Sequence, residues 1–257
     1  MRDYLAEIVA NKRSIVEAAK QQLSLKRMMD RLEKGTFAMC SQLQNRKWSL
    51  IAECKLQSPS KGKFKHPYSV LDLARMYEKN GASMLSIHTD PHFLGRNEDL
   101  TEVRRTVKIP LLRKDFIIDE YQIYEARMLG ADGVLLIARI LDQKQLEDYL
   151  RLTWSLGMDA LVEVHDREDM AKAMKTPAKF IGINNRNLKL FKTTIENTLE
   201  LLPLVEDNRT VISESGIHTL EEVKRLREAG ADGILVGEGL SMAQDVEKAV
   251  RDFALLQ

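Results

Sequence analysis

Cysteine is nearly missing from this chain: Cys40 and Cys54 are the only two in 257 residues. Two thiols supply neither a disulfide framework nor a metal-ligand spacing, and the expectation is a protein of a reducing, cytoplasmic compartment. An excess of charge of one sign is also missing. Lysine and arginine total 39 against 38 acids, a formal net charge of +1. That leaves no global field to recruit nucleic acid or an anionic membrane, so neither partner is expected. Long hydrophobic runs are absent. No window approaches about 18 uninterrupted apolar residues, the length a membrane-spanning helix needs. The opening Met1-Arg-Asp-Tyr-Leu-Ala-Glu-Ile lacks the continuous apolar core of a signal peptide, and its acids argue against a transit peptide. No linker, low-complexity tract or compositional break divides the chain. One domain over residues 1–257 is expected, with a helical extension over 1–47 and a barrel over 48–257. A monomer is the expected assembly, although the sequence locates no interface.

What is present is a soluble globular composition, 44% apolar and 30% charged, in a length close to that of a (β/α)8 barrel. In the extension, Leu5, Ile8, Val9, Ile15 and Val16 recur at helical spacing. A second helix is expected near Leu25 to Lys34, stopped by Gly35, and a short third one within Thr36 to Leu43. This extension reads as an amphipathic packing element that caps one end of the core.

From Trp48 onward, short apolar runs alternate with helical segments. The runs are 48–55, 84–88, 109–114, 133–137, 159–164, 180–184, 210–214 and 233–236. Amphipathic stretches lie between them, among them Val70–Asn80, Asp119–Leu129, Asp142–Leu156, Arg167–Met174, Ile195–Leu202 and Leu220–Ala229. Such alternation means βαβ units and a parallel sheet, and eight units point to closure into an α/β (β/α)8 TIM barrel. An internal echo supports the repeat: Asn80-Gly-Ala, Leu129-Gly-Ala and Ala229-Gly-Ala each precede a strand. Glycine suits the left-handed position just past a helix end.

The first run ends in Glu53 and Lys55, two residues apart and therefore on one face of a strand. Cys54 between them should turn into the packing layer. Ser58-Pro-Ser-Lys-Gly follows as turn chemistry. For this segment alone, a structural ion pair is an equally good reading. A barrel, however, gathers its strand C-termini into one mouth. There the other strands contribute Lys114, Glu163, Asn184 with Arg186, Glu214 with Ser215 and Gly216, and finally Gly237. Three acids and three bases in one mouth must pair or meet a charged ligand, because uncompensated buried charge is costly. The turns Ser215-Gly-Ile and Val236-Gly-Glu-Gly sit where barrels commonly hold phosphate on backbone N–H groups. Lys61, Lys63, Lys65 and His66 in the first loop read either as an anion-steering lid or as a solvated loop.

Five segments together resemble the indole-3-glycerol phosphate synthase family of tryptophan biosynthesis. They are Glu53-Cys-Lys-Leu-Gln-Ser-Pro-Ser-Lys-Gly62, Leu112-Arg-Lys-Asp-Phe-Ile-Ile-Asp119, Leu161-Val-Glu-Val-His165, Ile181-Gly-Ile-Asn-Asn-Arg-Asn-Leu188 and Ser213-Glu-Ser-Gly-Ile217. The resemblance covers essentially the whole chain, in the family's order and at its spacings. It implies a carboxy-lyase reaction, needing no cofactor or metal. The reaction converts 1-(2-carboxyphenylamino)-1-deoxyribulose 5-phosphate into indole-3-glycerol phosphate, CO2 and water. It implies Lys114 as the acid, Lys55 as the second catalytic lysine, Glu163 with Glu53 for the dehydration stage, and Asn184 as an orienting group. It further implies substrate contacts from Ser58, Phe93, Phe116, Arg186 and Glu214. Ser215, Gly216, Gly237 and Glu238 would hold the phosphate.

Two departures stand out. The family reads Leu-Thr-Asp or Leu-Thr-Glu after the second strand, whereas this chain has His88-Thr89-Asp90. The loop Asp90–Gly95 is also one residue short. His88 reads as a pocket wall or as a group titrating near neutral pH. His165 receives no role. Phosphoribosylanthranilate isomerase is the competing barrel, but a Cys and Asp pair suits that reaction, and Glu53 and Lys55 stand here instead. A Schiff-base aldolase also competes, as does a barrel that only binds a phosphorylated ligand. Binding alone, however, does not need Lys55, Lys114 and Glu163 together.

Overall fold

In the computed structural model, the described residues are 4–44, 46–58, 62–187, 192–206 and 208–256. Eight parallel strands close into a barrel. They are β1 (Ser49–Cys54), β2 (Met84–His88), β3 (Leu111–Lys114), β4 (Gly133–Ile137), β5 (Asp159–Val164), β6 (Phe180–Asn184), β7 (Thr210–Glu214) and β8 (Gly233–Val236). The order around the barrel is β1-β8-β7-β6-β5-β4-β3-β2, so every strand neighbours its sequence neighbours and β1 pairs with both β2 and β8. Each crossover is a helix, as parallel pairing requires.

Strand alternation sorts the side chains into two layers. On β1, Leu50, Ala52 and Cys54 face the shell between strands and helices, as expected for Cys54. Ile51 faces the interior with Met84, Leu112, Leu135, Leu161, Phe180, Ile212 and Leu235. The crossover helices are fixed by their caps as well as by their apolar faces. Ser69 with Asp72, Asp142 with Gln145, and Thr219 with Glu222 form reciprocal capping boxes. The echoed glycines behave as expected: Gly81, Gly130 and Gly230 all have positive φ immediately after helix ends.

The extension forms α1 (Tyr4–Gln22), α2 (Leu25–Met29) and α3 (Ala38–Leu43). It braces both ends of the barrel. Met39 and Leu43 of α3 join the interior layer, and the Cys40 amide donates to Asp159 Oδ2 at 3.0 Å, so α3 plugs the strand N-termini. At the other end, Lys12 of α1 is buried with its Nζ 2.6 Å from both Asp90 Oδ2 and Asp115 Oδ1.

Two expectations need correction. The second helix ends at Met29 rather than near Lys34, and Gly35 is not its stop. Gly35 instead docks on a turn: its amide donates to Leu156 O at 2.8 Å, and an added Cβ would collide with the Gly157 carbonyl. Helices Asn97–Thr106 and Val246–Phe253 were not singled out from the sequence. The first offers its core only Asp99, Leu100 and Val103, too sparse a stripe to stand out from a charged segment. Lys61 of the basic loop, read as either a lid or a solvated segment, lies outside the described residues. The flanking Gln57–Ser58 and Gly62–Lys63 form a small antiparallel pair.

Candidate active site

Closure brings Lys114, at the end of β3, among three carboxylates from three other strands. Its Nζ lies 2.9 Å from Glu214 Oε2, 3.5 Å from Glu163 Oε2 and 4.0 Å from Glu53 Oε2. Burial alone would lower the Lys114 ammonium, but the Glu214, Glu163 and Glu53 charges override it and hold the proton more firmly than usual. Lys55 Nζ lies 3.4 Å from Glu53 Oε1. Burial would raise Glu53, yet His88, Lys55 and Lys114 hold it well below the usual carboxylate range.

Glu163 and Glu214 flank the Lys114 ammonium and move apart in acidity. Burial would raise Glu163, but Lys114, His165 and a hydrogen bond with Asn184 keep it low. Burial pushes Glu214 up to about 7; Lys114 opposes this and the Glu163 charge reinforces it. Neighbouring carboxyls driven in opposite directions are a usual mark of divided acid and base roles. Gly182 makes room for the pair, since a Cβ there would collide with Glu214 Oε1.

The raised Glu214 carboxyl also couples stability to pH. A carboxyl raised on folding from 4.5 to about 7 binds more proton folded than unfolded across that window. Its contribution is complete below the unfolded value and is lost as pH rises through the folded one. Glu214→Gln should therefore gain melting temperature relative to the native chain at about pH 8 compared with about pH 5. Thermal melts of both proteins at the two pH values check this, and an identical difference at both would remove the raised carboxyl.

The aromatic wall is built on the β2 and β3 ends. Phe93, in the turn Pro91–Phe93, stacks on His88 at 4.7 Å and 15°, and on Phe116 at 6.2 Å and 23°. Lys55 Nζ stands 5.8 Å from the Phe93 ring centre. Across the mouth, Asn184 Oδ1 accepts from the Arg186 amide at 3.0 Å. Arg186 begins a two-residue pair with Lys192–Thr193 beside the β6 end. The Ser58 side chain lies outside what is described.

The β7 and β8 turns sit on the same side. Ser215 and Gly216 both have positive φ, at 65° and 70°, and the Ser215 carbonyl accepts from Asn185 Nδ2 at 3.0 Å. A Cβ on Gly216 would collide with Thr193. Gly237 precedes the short helix Glu238–Ser241, and a Cβ there would collide with Glu53 Oε1. Gly237 thus shapes the carboxylate cluster as well as the turn.

Three residues hold more of the site together than their sequence context announces. His165, given no role, has Nε2 3.2 Å from Glu163 Oε1 and Nδ1 3.5 Å from Asp169 Oδ2. Its position two residues beyond Glu163 on a strand was the available signal. His88 Nε2 lies 3.2 Å from Glu53 Oε1. Lys12 gave no signal at all, being one more charge on an amphipathic helix.

Comparison with known proteins agrees with this geometry. The family profile described as Indole-3-glycerol phosphate synthase matches residues 5–253. A protein of that name from Lachnoclostridium phytofermentans is 44% identical over 209 residues, covering 81% of this chain and 77% of its own. One from Alkaliphilus metalliredigens is 40% identical over 252 residues, covering 96% and 97%. Among solved structures, 3-hexulose-6-phosphate synthase from Salmonella typhimurium superposes with a TM-score of 0.65 at 14% identity, covering 80% of this chain and 97% of that one. At that identity the likeness speaks for the barrel alone. The profile match and the two named relatives establish that this chain belongs to the indole-3-glycerol phosphate synthase family.

Proposed function

We propose that this chain closes, decarboxylates and dehydrates 1-(2-carboxyphenylamino)-1-deoxyribulose 5-phosphate to indole-3-glycerol phosphate, as a cytoplasmic monomer. The observation that carries the reading is the Lys114 ammonium held among Glu53, Glu163 and Glu214 at the strand ends. The phosphate would lie on the backbone of Ser215, Gly216, Gly237 and Glu238, where two turns present amide groups. The carboxyphenyl ring would lie along Phe93 and Phe116, with its carboxylate toward Arg186 and Ser58. A guanidinium fork suits a planar carboxylate better than an ammonium does.

In the first step the ring carbon attacks the ketone and its oxygen becomes an alkoxide. A proton held as firmly as that of Lys114 passes only to a strong base, and an alkoxide is one. Lys55 screens the developing charge from the other side, over Phe93. Loss of CO2 then restores conjugation toward the nitrogen. For dehydration the hydroxyl must leave with a proton, and the methylene carbon beside the ring nitrogen must lose one, which forms the indole double bond. Glu163, held ionised beside Asn184, suits the base at that carbon, and Lys55, held by Glu53, gives the hydroxyl its proton. Glu214 both neutralises Lys114 and faces the sugar hydroxyls. The extension over 1–47 and the barrel over 48–257 act as one domain, tied through Lys12 and α3.

The test is fluorescence detection of indole formation from the carboxyphenylamino-deoxyribulose phosphate with no metal or cofactor added. Product at enzyme-dependent rate is the expected result. Its absence from a folded preparation that still binds inorganic phosphate would leave a binding barrel.

A further inference from the structure

One side chain is placed to link the carboxylate cluster to the aromatic wall. His88 ends β2, is 6% exposed, and touches both. Its ring face stacks on Phe93 with centroids 4.7 Å apart, and its Nε2 lies 3.2 Å from Glu53 Oε1. Its backbone is held on two sides. His88 is in register with Lys114, and the next amide, that of Thr89, donates to Lys114 O at 3.2 Å. Gly95 packs so closely that a Cβ there would collide with the His88 carbonyl.

Glu53 Oε1 has two nitrogen neighbours, Lys55 Nζ at 3.4 Å and His88 Nε2 at 3.2 Å. They differ in stiffness. A lysine ammonium rides on a flexible four-carbon stem, whereas an imidazole turns about two bonds and is here stacked in place. When Lys55 swings toward substrate, as the reaction above asks of it, Glu53 would lose its one neighbour on that oxygen if His88 were absent. We propose that His88 is a positioning residue that holds Glu53 through Nε2 and carries Phe93 on its ring face, so that the carboxylate and the aromatic wall are set as one unit. The inference rests on the roles assigned to Glu53 and Phe93 above, and it assigns no chemistry to His88 itself.

Two substitutions separate the two contacts. His88→Phe keeps a flat ring for Phe93 and removes the nitrogen facing Glu53. His88→Gln keeps a nitrogen donor and removes the ring. Displacing a reacting group slightly can cost about a hundred-fold, so His88→Phe should lower kcat roughly ten- to a hundred-fold with KM nearly unchanged. His88→Gln should instead raise KM several-fold with the smaller loss in kcat.

The acid limb of the kcat profile should move to higher pH in His88→Phe, because one group favouring ionised Glu53 is gone. The charged groups that remain facing Glu53 are Lys55 on its own strand and Lys114 on β3, with Glu163 and Glu214 behind Lys114; Gly237 on the β8 side adds none. Melting temperatures of both variants are read alongside. Equal losses in the two variants, following their melting temperatures with no split between kcat and KM, would reduce His88 to a packing residue and overturn the proposal. Native kinetics in both would overturn it as well. Glu53→Gln runs in the same assay: if it is impaired while His88→Phe is not, the linkage fails alone, and if it is fully active, the reading of Glu53 fails with it.

Discussion

Lys114→Ala should lower kcat on the carboxyphenylamino-deoxyribulose phosphate by about 10²- to 10⁴-fold, the usual worth of a positioned proton donor. Two effects add in the same direction. The alkoxide loses its acid, and three carboxylates lose the cation that lies 2.9 to 4.0 Å from each. Without it they take up protons, so Glu163 no longer stands ready as a base. Binding at the β7 and β8 turns should survive, because the phosphate contacts proposed there are backbone groups of Ser215, Gly216, Gly237 and Glu238 rather than the Lys114 side chain. The checks are single-turnover indole fluorescence and a phosphate-ester titration on the same preparation. A variant within about ten-fold of the native rate would remove Lys114 as the acid.

The second large effect is on stability. Lys12→Met should destabilise the protein by about 3–5 kcal/mol, the scale for breaking a buried ion pair by removing one partner. Lys12 Nζ lies 2.6 Å from both Asp90 and Asp115, and all three residues are at most 3% exposed. Asp115 keeps other partners: Thr89 Oγ1 at 2.6 Å and Arg113 at 3.2 Å. Asp90 keeps the His92 amide at 2.8 Å and the His92 ring at 2.9 Å, both on Oδ1, while Oδ2 loses Lys12. Most of the loss should therefore appear around the Asp90–Gly95 turn, which carries Phe93. Urea unfolding measures the stability change, and hydrogen exchange of that turn locates it. A midpoint shift equivalent to under about 1 kcal/mol would show that water or His92 replaces Lys12.

Much of the barrel was legible because its signals are local. Eight buried runs of strand length, helices between them, and glycine just past three helix ends each follow from short-range chemistry, and all eight strands form where those runs lie. Boundaries that depended on distant partners were read less well. Gly35 looks like a helix stop in sequence, but its neighbour is Gly157, over a hundred residues away. The same holds in the site. Glu53, Lys114, Glu163 and Glu214 could each be placed at a strand end from sequence.

The amino-acid sequence by itself determined the layered alternation, the strand ends that carry charge, and the family. Those depend on period and residue type along the chain. Only the tertiary structure decided which charges meet. Lys114 and Glu214 stand 100 positions apart, and Lys12 and Asp115 stand 103 apart. Neither pairing follows from any local pattern. Both are set by closure of β1 onto β8 and by the return of the first helix to the barrel mouth, because electrostatic partners are selected by distance in space and by exclusion of water. His88 belongs to the same class: its residue type was visible, but its contact with Glu53 exists only once β1 and β2 lie side by side.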